Sequence, residues 1–113
     1  MKILSKRKYG TTLCLSIQNK ESLDLAIPLC NIASELNFKD EAYGILDVSY
    51  YWKEHDSICW VDTNYKIEIV LSEERIILIF TAFDKNSFEK MAHTIKKHFN
   101  VNFEEGNDTN EEL

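Results

Sequence analysis

Residues 44–83 read GILDVSYYWKEHDSICWVDTNYKIEIVLSEERIILIFTAF, and two long runs within them alternate apolar with polar side chains. The apolar positions of these runs are Leu46, Val48, Tyr50, Trp52, Tyr65, Ile67, Ile69 and Leu71. A period of two is typical of a β-strand with one buried and one solvated face. We therefore predict strands at about 45–53, 57–61, 65–71 and 75–82. The last is apolar at successive positions, which favours a central place in the sheet.

The flanking sequence predicts one more strand and two helices. Alternation at about 10–18 predicts a first strand, and Val101 and Phe103 suggest a short edge strand near the end. A first helix carries the apolar stripe Leu25, Leu29, Ile32 and Leu36, widened by Leu23, Ile27 and Cys30. This helix either kinks at Pro28 or restarts there, because proline has no amide hydrogen. A second helix, capped by Asp84 or Ser87, carries the stripe Phe88, Met91, Ala92, Ile95 and Phe99.

This element order predicts an α+β fold. The architecture is a two-layer sandwich with a mostly antiparallel sheet of about five strands and two helices packed on one face. If residues 45–61 are an insertion rather than core strands, the remainder has a ferredoxin-like order. We expect a single domain at 1–103 and an acidic, disordered tail at 104–113. The predicted core is Leu13, Leu15, Leu29, Ile32, Val48, Tyr50, Ile67, Ile69, Leu78, Phe80, Met91 and Ile95.

Composition limits the cellular compartments and the binding partners that we expect for this protein. The 113 residues hold 19 acidic and 13 basic side chains, a net charge of −6 that argues against a broad nucleic-acid surface. The three cysteines lack Cys-x-x-Cys spacing, the N-terminus lacks the apolar run of a signal peptide, and no apolar stretch could span a membrane. We expect a cytoplasmic protein. Eleven of the basic residues are lysine, a bias compatible with an AT-rich bacterial gene.

No motif in the chain predicts catalysis. His55 and Cys59 are four residues apart, but a structural zinc site needs about four ligands and no second pair has usable spacing. The three glycines are isolated, so there is no phosphate-binding loop. We expect no metal, no cofactor, no catalytic residue and no enzymatic activity.

Carboxylates around the solvated face of the sheet are the candidate partner-binding residues. Asp47, Tyr51 and Glu68 have the parity of that face, and the predicted turns add Glu54, Asp56 and Asp62. Carboxylates can steer a basic protein, and an exposed tyrosine can anchor an interface. The alternative is that Tyr51 is a solitary aromatic among ordinary solvated turn acids.

In size, acidity and lack of catalytic motifs, the whole chain resembles bacterial toxin-immunity proteins of the contact-dependent inhibition type. The resemblance rests on no shared motif. It implies a non-enzymatic protein that binds and neutralises a basic cognate toxin, in many cases a nuclease. It implies no nucleic-acid or membrane partner and leaves the oligomeric state open. The alternative function is a small-molecule-binding or regulatory domain with a pocket between the helices and the sheet.

Overall fold

The computed structural model describes residues 2–18, 23–37, 57–71 and 75–106. Within these ranges six strands and two helices follow one another along the chain. They are β1 (Lys2–Tyr9), β2 (Thr12–Gln18), α1 (Leu23–Glu35), β3 (Ser57–Val61), β4 (Tyr65–Leu71), β5 (Ile76–Ala82), α2 (Lys85–Phe99) and β6 (Glu104–Glu105). The strand predicted at 45–53 lies outside the described residues.

The six strands form one sheet in the order β3-β4-β5-β2-β1-β6. All neighbours are antiparallel except β1 and β6, which pair in parallel at Arg7 with Glu104 and at Lys8 with Glu105. Side chains from α1 and α2 join one core with the inner face of the sheet. The predicted α+β fold class is therefore confirmed.

The register aligns the apolar residues of neighbouring strands on the inner face. Phe80 on β5 lies opposite Leu13 on β2 and Ile67 on β4, and Leu78 lies opposite Leu15 and Ile69 in the same way. Ten of the twelve predicted core residues lie in the described ranges, and all ten are buried. The other two, Val48 and Tyr50, lie outside those ranges.

The outer face of the sheet, which points away from the helices, is less exposed to solvent than its sequence predicts. Cys14, Ser16 and Ile77 are only 2%, 1% and 8% exposed on this face. They lie on β2 and β5, which occupy the middle of the sheet and have neighbours on both sides. Arg75 also covers part of the face, since its guanidinium donates a hydrogen bond to Ser16 Oγ at 3.4 Å.

β1 is an element that the sequence did not predict. Half of its eight residues are basic, so the strand lacks the period-two pattern of a half-buried strand. It is held by β2 through a tight turn in which Gly10 has φ 60°, a left-handed conformation that glycine adopts without steric cost. Its register shifts between Ile3 and Ser5. Lysines on a strand near a sheet edge also discourage pairing with other chains.

The helices begin and end for local reasons. α1 begins at Leu23 and continues through Pro28, which excludes the second of the two alternatives for Pro28, a new helix start. Ile27 is 68% exposed, which also removes it from the predicted apolar stripe. α2 begins after Asp84, whose Oδ1 accepts the backbone N–H of Ser87 at 2.8 Å, and the N–H bonds lower the pKa of that carboxyl. It ends at Asn100, which is left-handed with φ 54°.

The predicted acidic tail starts within the sheet. Glu104 and Glu105 form β6, and the N–H of Gly106 donates to the carbonyl of Lys8 at 2.7 Å. A Cβ at Gly106 would lie 2.2 Å from Cε1 of Tyr9, so only glycine fits beneath this ring without displacement. Residues 107–113 lie outside the described part of the chain.

Glu35 joins the two helices, and its loss should lower stability in a pH-dependent way. Its carboxylate accepts hydrogen bonds from Lys97, at 2.5 Å, and from His98. The bonds from Lys97 first and His98 second lower the pKa of Glu35. A lowered folded-state pKa adds stability above the unfolded pKa, and this is lost as pH falls through the folded value. The pair is partly exposed, so the gain is small.

We expect Glu35→Gln to melt a little below wild type at neutral pH and together with wild type in strong acid. Thermal unfolding followed by circular dichroism at both pH values measures this difference. Glu89→Gln, which changes an exposed glutamate of α2, is the matched control and should leave the melting temperature unchanged. If the difference in melting temperature between Glu35→Gln and wild type were equal at both pH values, the charge of the carboxylate would not contribute to stability.

Candidate protein-interaction surface

A groove of about 410 Å³ lies between α2, β1 and the segment that follows α2. Its apolar floor includes Phe88, Ala92 and Phe103, all of which are half-buried and packed against the core. Its rim carries Lys8, His93 and Lys96. We call this site, defined by these six residues, the basic groove.

The α2 residues of the basic groove lie on one side of the helix because of their spacing in the sequence. Phe88, Ala92 and Lys96 follow at intervals of four, which puts them on one side of a helix, and His93 is adjacent to that stripe. The stripe runs from the half-buried Phe88 to the exposed Lys96, so one side of the helix supplies both floor and rim.

The register of the β1–β2 hairpin places Lys8. It pairs with Leu13, a core residue, so Lys8 has the parity of the inner face. Its Nζ lies 5.3 Å from the centroid of the Phe88 ring, a cation–π contact. The same Nζ lies 3.5 Å from Oε1 of Glu105, whose side chain is 77% exposed. Lys8 is therefore held over the floor of the groove by a ring and by a weak ion pair.

Charge is unevenly distributed along this acidic chain. The described ranges contain ten basic and eight acidic residues, a net charge of +2, whereas the remaining residues contain three basic and eleven acidic, a net charge of −8. Eight of the ten described basic residues lie on β1 and α2, the two elements that border the basic groove. Of these eight residues, Lys8 and Lys96 line the groove, so its described lining is positive in a protein of net charge −6.

Two described carboxylates on the outer face of the sheet, those of Glu68 and Glu104, form ion pairs. One row crosses all six strands through Cys59, Glu68, Ile79, Cys14, Arg7 and Glu104. Glu68 pairs with Lys66 at 3.1 Å, and Arg7 pairs with Glu104 at 3.5 Å. Burial, followed by the Glu68 charge, raises the pKa of the Cys59 thiol, so this exposed cysteine stays protonated at neutral pH.

The structure places two of the six predicted partner-binding residues. Glu68 lies on the outer face beside Lys66, and Asp62 lies in the β3–β4 turn, where its N–H donates to the carbonyl of Tyr65 at 2.8 Å. The other four lie outside the described residues: Asp47, Tyr51, Glu54 and Asp56. The partner-binding role of the six stays a prediction.

The sequence did not predict the basic groove. Its β1 side belongs to an unpredicted strand. On α2, the sequence predicts Phe88 and Ala92 as part of the apolar stripe and indicates no role for His93 or Lys96. The one usable signal is the local excess of lysine at both places, Lys6-Arg7-Lys8 and Lys96-Lys97. That signal does not say that the two clusters lie near each other.

The described residues show no sign of metal chemistry. No three His, Cys, Asp or Glu side chains in this part of the chain are close enough to hold a metal ion. Cys59 lies on β3, while His55, its proposed partner at a four-residue spacing, lies outside the described ranges. None of the helices in those ranges is long and apolar enough to cross a membrane.

The chain is a small α+β domain with a groove between its second helix and its first strand. The family model of the POB3-like N-terminal PH domain matches residues 30–105, about two-thirds of the chain. The chain belongs to this family of PH-like sandwich domains, which are generally binding modules without catalytic activity. No curated protein and no solved structure matches the chain significantly.

The match begins inside α1, so it leaves out the β1–β2 hairpin and includes all of α2. Lys8 in the basic groove therefore comes from outside the matched residues, whereas Phe88, His93 and Lys96 come from within them.

The family corrects the functional prediction made from the sequence. The chain is not a toxin-immunity protein, and a bacterial toxin is not its partner. The resemblance failed because it rested on size, net acidity and missing motifs, which many unrelated small domains share. The residue ranges that the structure describes, moreover, have a net charge of +2. The overall acidity is therefore not a property of the sheet and its helices.

Proposed function

We propose that this chain is a non-catalytic protein-binding module whose partners are histones or chromatin complexes. The observation that carries the proposal is the match of residues 30–105 to the POB3-like N-terminal PH domain, a histone-chaperone type of module. A partner of this kind is consistent with a location in the nucleus or the cytoplasm.

The charge distribution supports partners of this kind. Histones are basic, and the chain has six more acidic than basic residues, with the acidic excess outside the described core. Such carboxylates raise the rate of encounter with a basic partner and contribute less to the affinity of the docked complex. Glu68 and Asp62, with the other predicted carboxylates, remain our proposed contacts for the basic surface of a histone.

The surroundings of a described cysteine and a described histidine also support a module without a catalytic group. The thiol of Cys59 is kept protonated by its surroundings, and the histidine on the rim of the basic groove lies beside lysine rather than beside a nucleophile. Nucleophilic catalysis needs a nucleophile and a base in hydrogen-bonding reach of each other. The groove instead combines positive charge with apolar surface, which suits recognition of another protein.

Co-elution with purified histone complexes tests this proposal. The chain is mixed with core-histone dimers, core-histone tetramers or nucleosome core particles at about 0.15 M salt, and the mixtures are separated by size-exclusion chromatography. We expect co-elution with at least one of these complexes. If the chain elutes alone in every mixture, the proposed function is wrong.

A further inference from the structure

We propose that the basic groove is a docking site for an acidic peptide segment with an apolar anchor side chain, carried by a partner protein. The inference rests on the proposed function only in assuming a protein partner. The binding of a peptide to the groove can be measured by itself.

Charge complementarity identifies the occupant as acidic. The rim presents the ammonium groups of Lys8 and Lys96 and the imidazole of His93. The described lining residues include no carboxylate, although Glu105 reaches Lys8 from beside the groove at 3.5 Å. A segment rich in Asp and Glu places its carboxylates against these donors, and charge-assisted hydrogen bonds are the strong ones. The positive charge of Lys8 and Lys96 is opposite in sign to the net charge of −6, so the groove favours an acidic segment although the protein as a whole is acidic.

The floor identifies the anchor as apolar. Phe88, Ala92 and Phe103 are half-buried against the core, so part of each side chain still faces solvent within the groove. An aromatic or aliphatic side chain laid on this floor removes apolar surface of both molecules from water. A volume of about 410 Å³ lies within the usual range for ligand pockets, which suits a short segment rather than a whole domain.

A carboxylate of the chain itself, that of Glu105, already contacts one basic side chain of the groove, Lys8. Glu105 reaches the ammonium group of Lys8 at 3.5 Å although its own side chain is 77% exposed. An exposed ion pair of this length is weak, so a carboxylate from a bound segment can replace it at small cost. The contact also shows that a carboxylate can reach Lys8 while the ammonium group stays over the Phe88 ring.

Nucleic acid fits this site less well than a peptide does. Its binding relies on neutralising many phosphates along a continuous track of cations. The described part of the groove offers three basic side chains around an apolar floor, in a protein whose net charge repels a polyanion.

The test uses fluorescence anisotropy with a labelled synthetic peptide, Glu-Asp-Glu-Phe-Asp-Glu-Asp, and the full chain. We expect saturable binding. Lys96→Glu and Lys8→Glu should each weaken binding about tenfold or more, because each reverses a charge on the rim. Lys90→Glu makes the same change at an exposed lysine of α2 that does not line the groove, and should have little effect. Circular dichroism verifies that each variant is folded.

Two control peptides separate charge from anchoring. Changing the Phe to Ser should weaken binding by loss of the anchor, and changing all acids to Asn and Gln should abolish it. Equal binding of all three peptides, or equal affinity of Lys96→Glu and Lys90→Glu, would overturn the assignment of the groove.

Other occupants are distinguished in the same assay. Asp108, Glu111 and Glu112 follow Gly106, whose N–H bonds to the Lys8 carbonyl. If removing residues 107–113 tightened peptide binding tenfold or more, this segment of the chain would be the occupant and the partner assignment would fall. Displacement of the peptide by single-stranded DNA at lower concentration than by unlabelled peptide would point to nucleic acid instead. Peptide binding without histone co-elution would remove the proposed function and leave the groove assignment intact.

Discussion

Ile67→Lys should leave the domain largely unfolded at room temperature. Ile67 is 1% exposed on the inner face of β4, between Trp60 on β3 and Phe80 on β5. An ammonium group there would have no described carboxylate beside it, and burying an unpaired charge costs several kcal/mol. The whole stability of a domain this size is about 5–15 kcal/mol. Far-UV circular dichroism and urea denaturation measure the loss.

The matched control is Glu68→Lys, one residue further along the same strand. Glu68 lies on the outer face, and the substitution removes a half-exposed ion pair with Lys66 worth about 0–1 kcal/mol. This variant should fold and unfold nearly as wild type does. If Glu68→Lys unfolded the domain while Ile67→Lys did not, the register of β4 would be wrong by one residue.

Phe80→Ala should destabilise the domain by about 3–5 kcal/mol, because it leaves a cavity in the centre of the core. Phe80 is fully buried, and its ring lies 6.5 Å from that of Phe99, so it joins β5 to the end of α2. A loss of this size lowers the melting temperature by roughly 15 °C in a small domain. Urea denaturation followed by circular dichroism measures the change.

Ile79→Ala is the control for Phe80→Ala. Ile79 is the preceding residue of β5 and is half-buried on the outer face. We expect a clearly smaller loss, because fewer atoms lose burial and the site can relax into solvent. Equal losses at the two positions would mean that both faces of β5 are packed alike.

Most of the fold can be predicted from local patterns of apolar residues in the sequence. The apolar residues of β4 and α2 recur at the period of the element, and β5 is a short continuous apolar run. Neither signal requires knowledge of distant contacts. β1 was missed because its four basic residues break that period, and its stability depends on pairing with β2. Pro28 was assigned a helix start as one option, yet α1 continues through it.

The candidate site could not be predicted in the same way. The basic groove joins Lys8 to Lys96 across most of the chain, through a strand order in which β2 lies between β1 and β5. No local period encodes that order. The function was also beyond the sequence, because the resemblance to immunity proteins used bulk acidity, whereas family membership depends on a pattern spread over residues 30–105.

We propose that this member of the POB3-like PH family binds histones or chromatin complexes. Titration of fluorescently labelled histone complexes and nucleosome core particles with the chain measures it most directly. We predict saturable binding with a dissociation constant of about 1 µM or tighter for at least one of them, weakening as salt rises. Absence of saturable binding to every one of them at low salt, with folded protein, would contradict the claim.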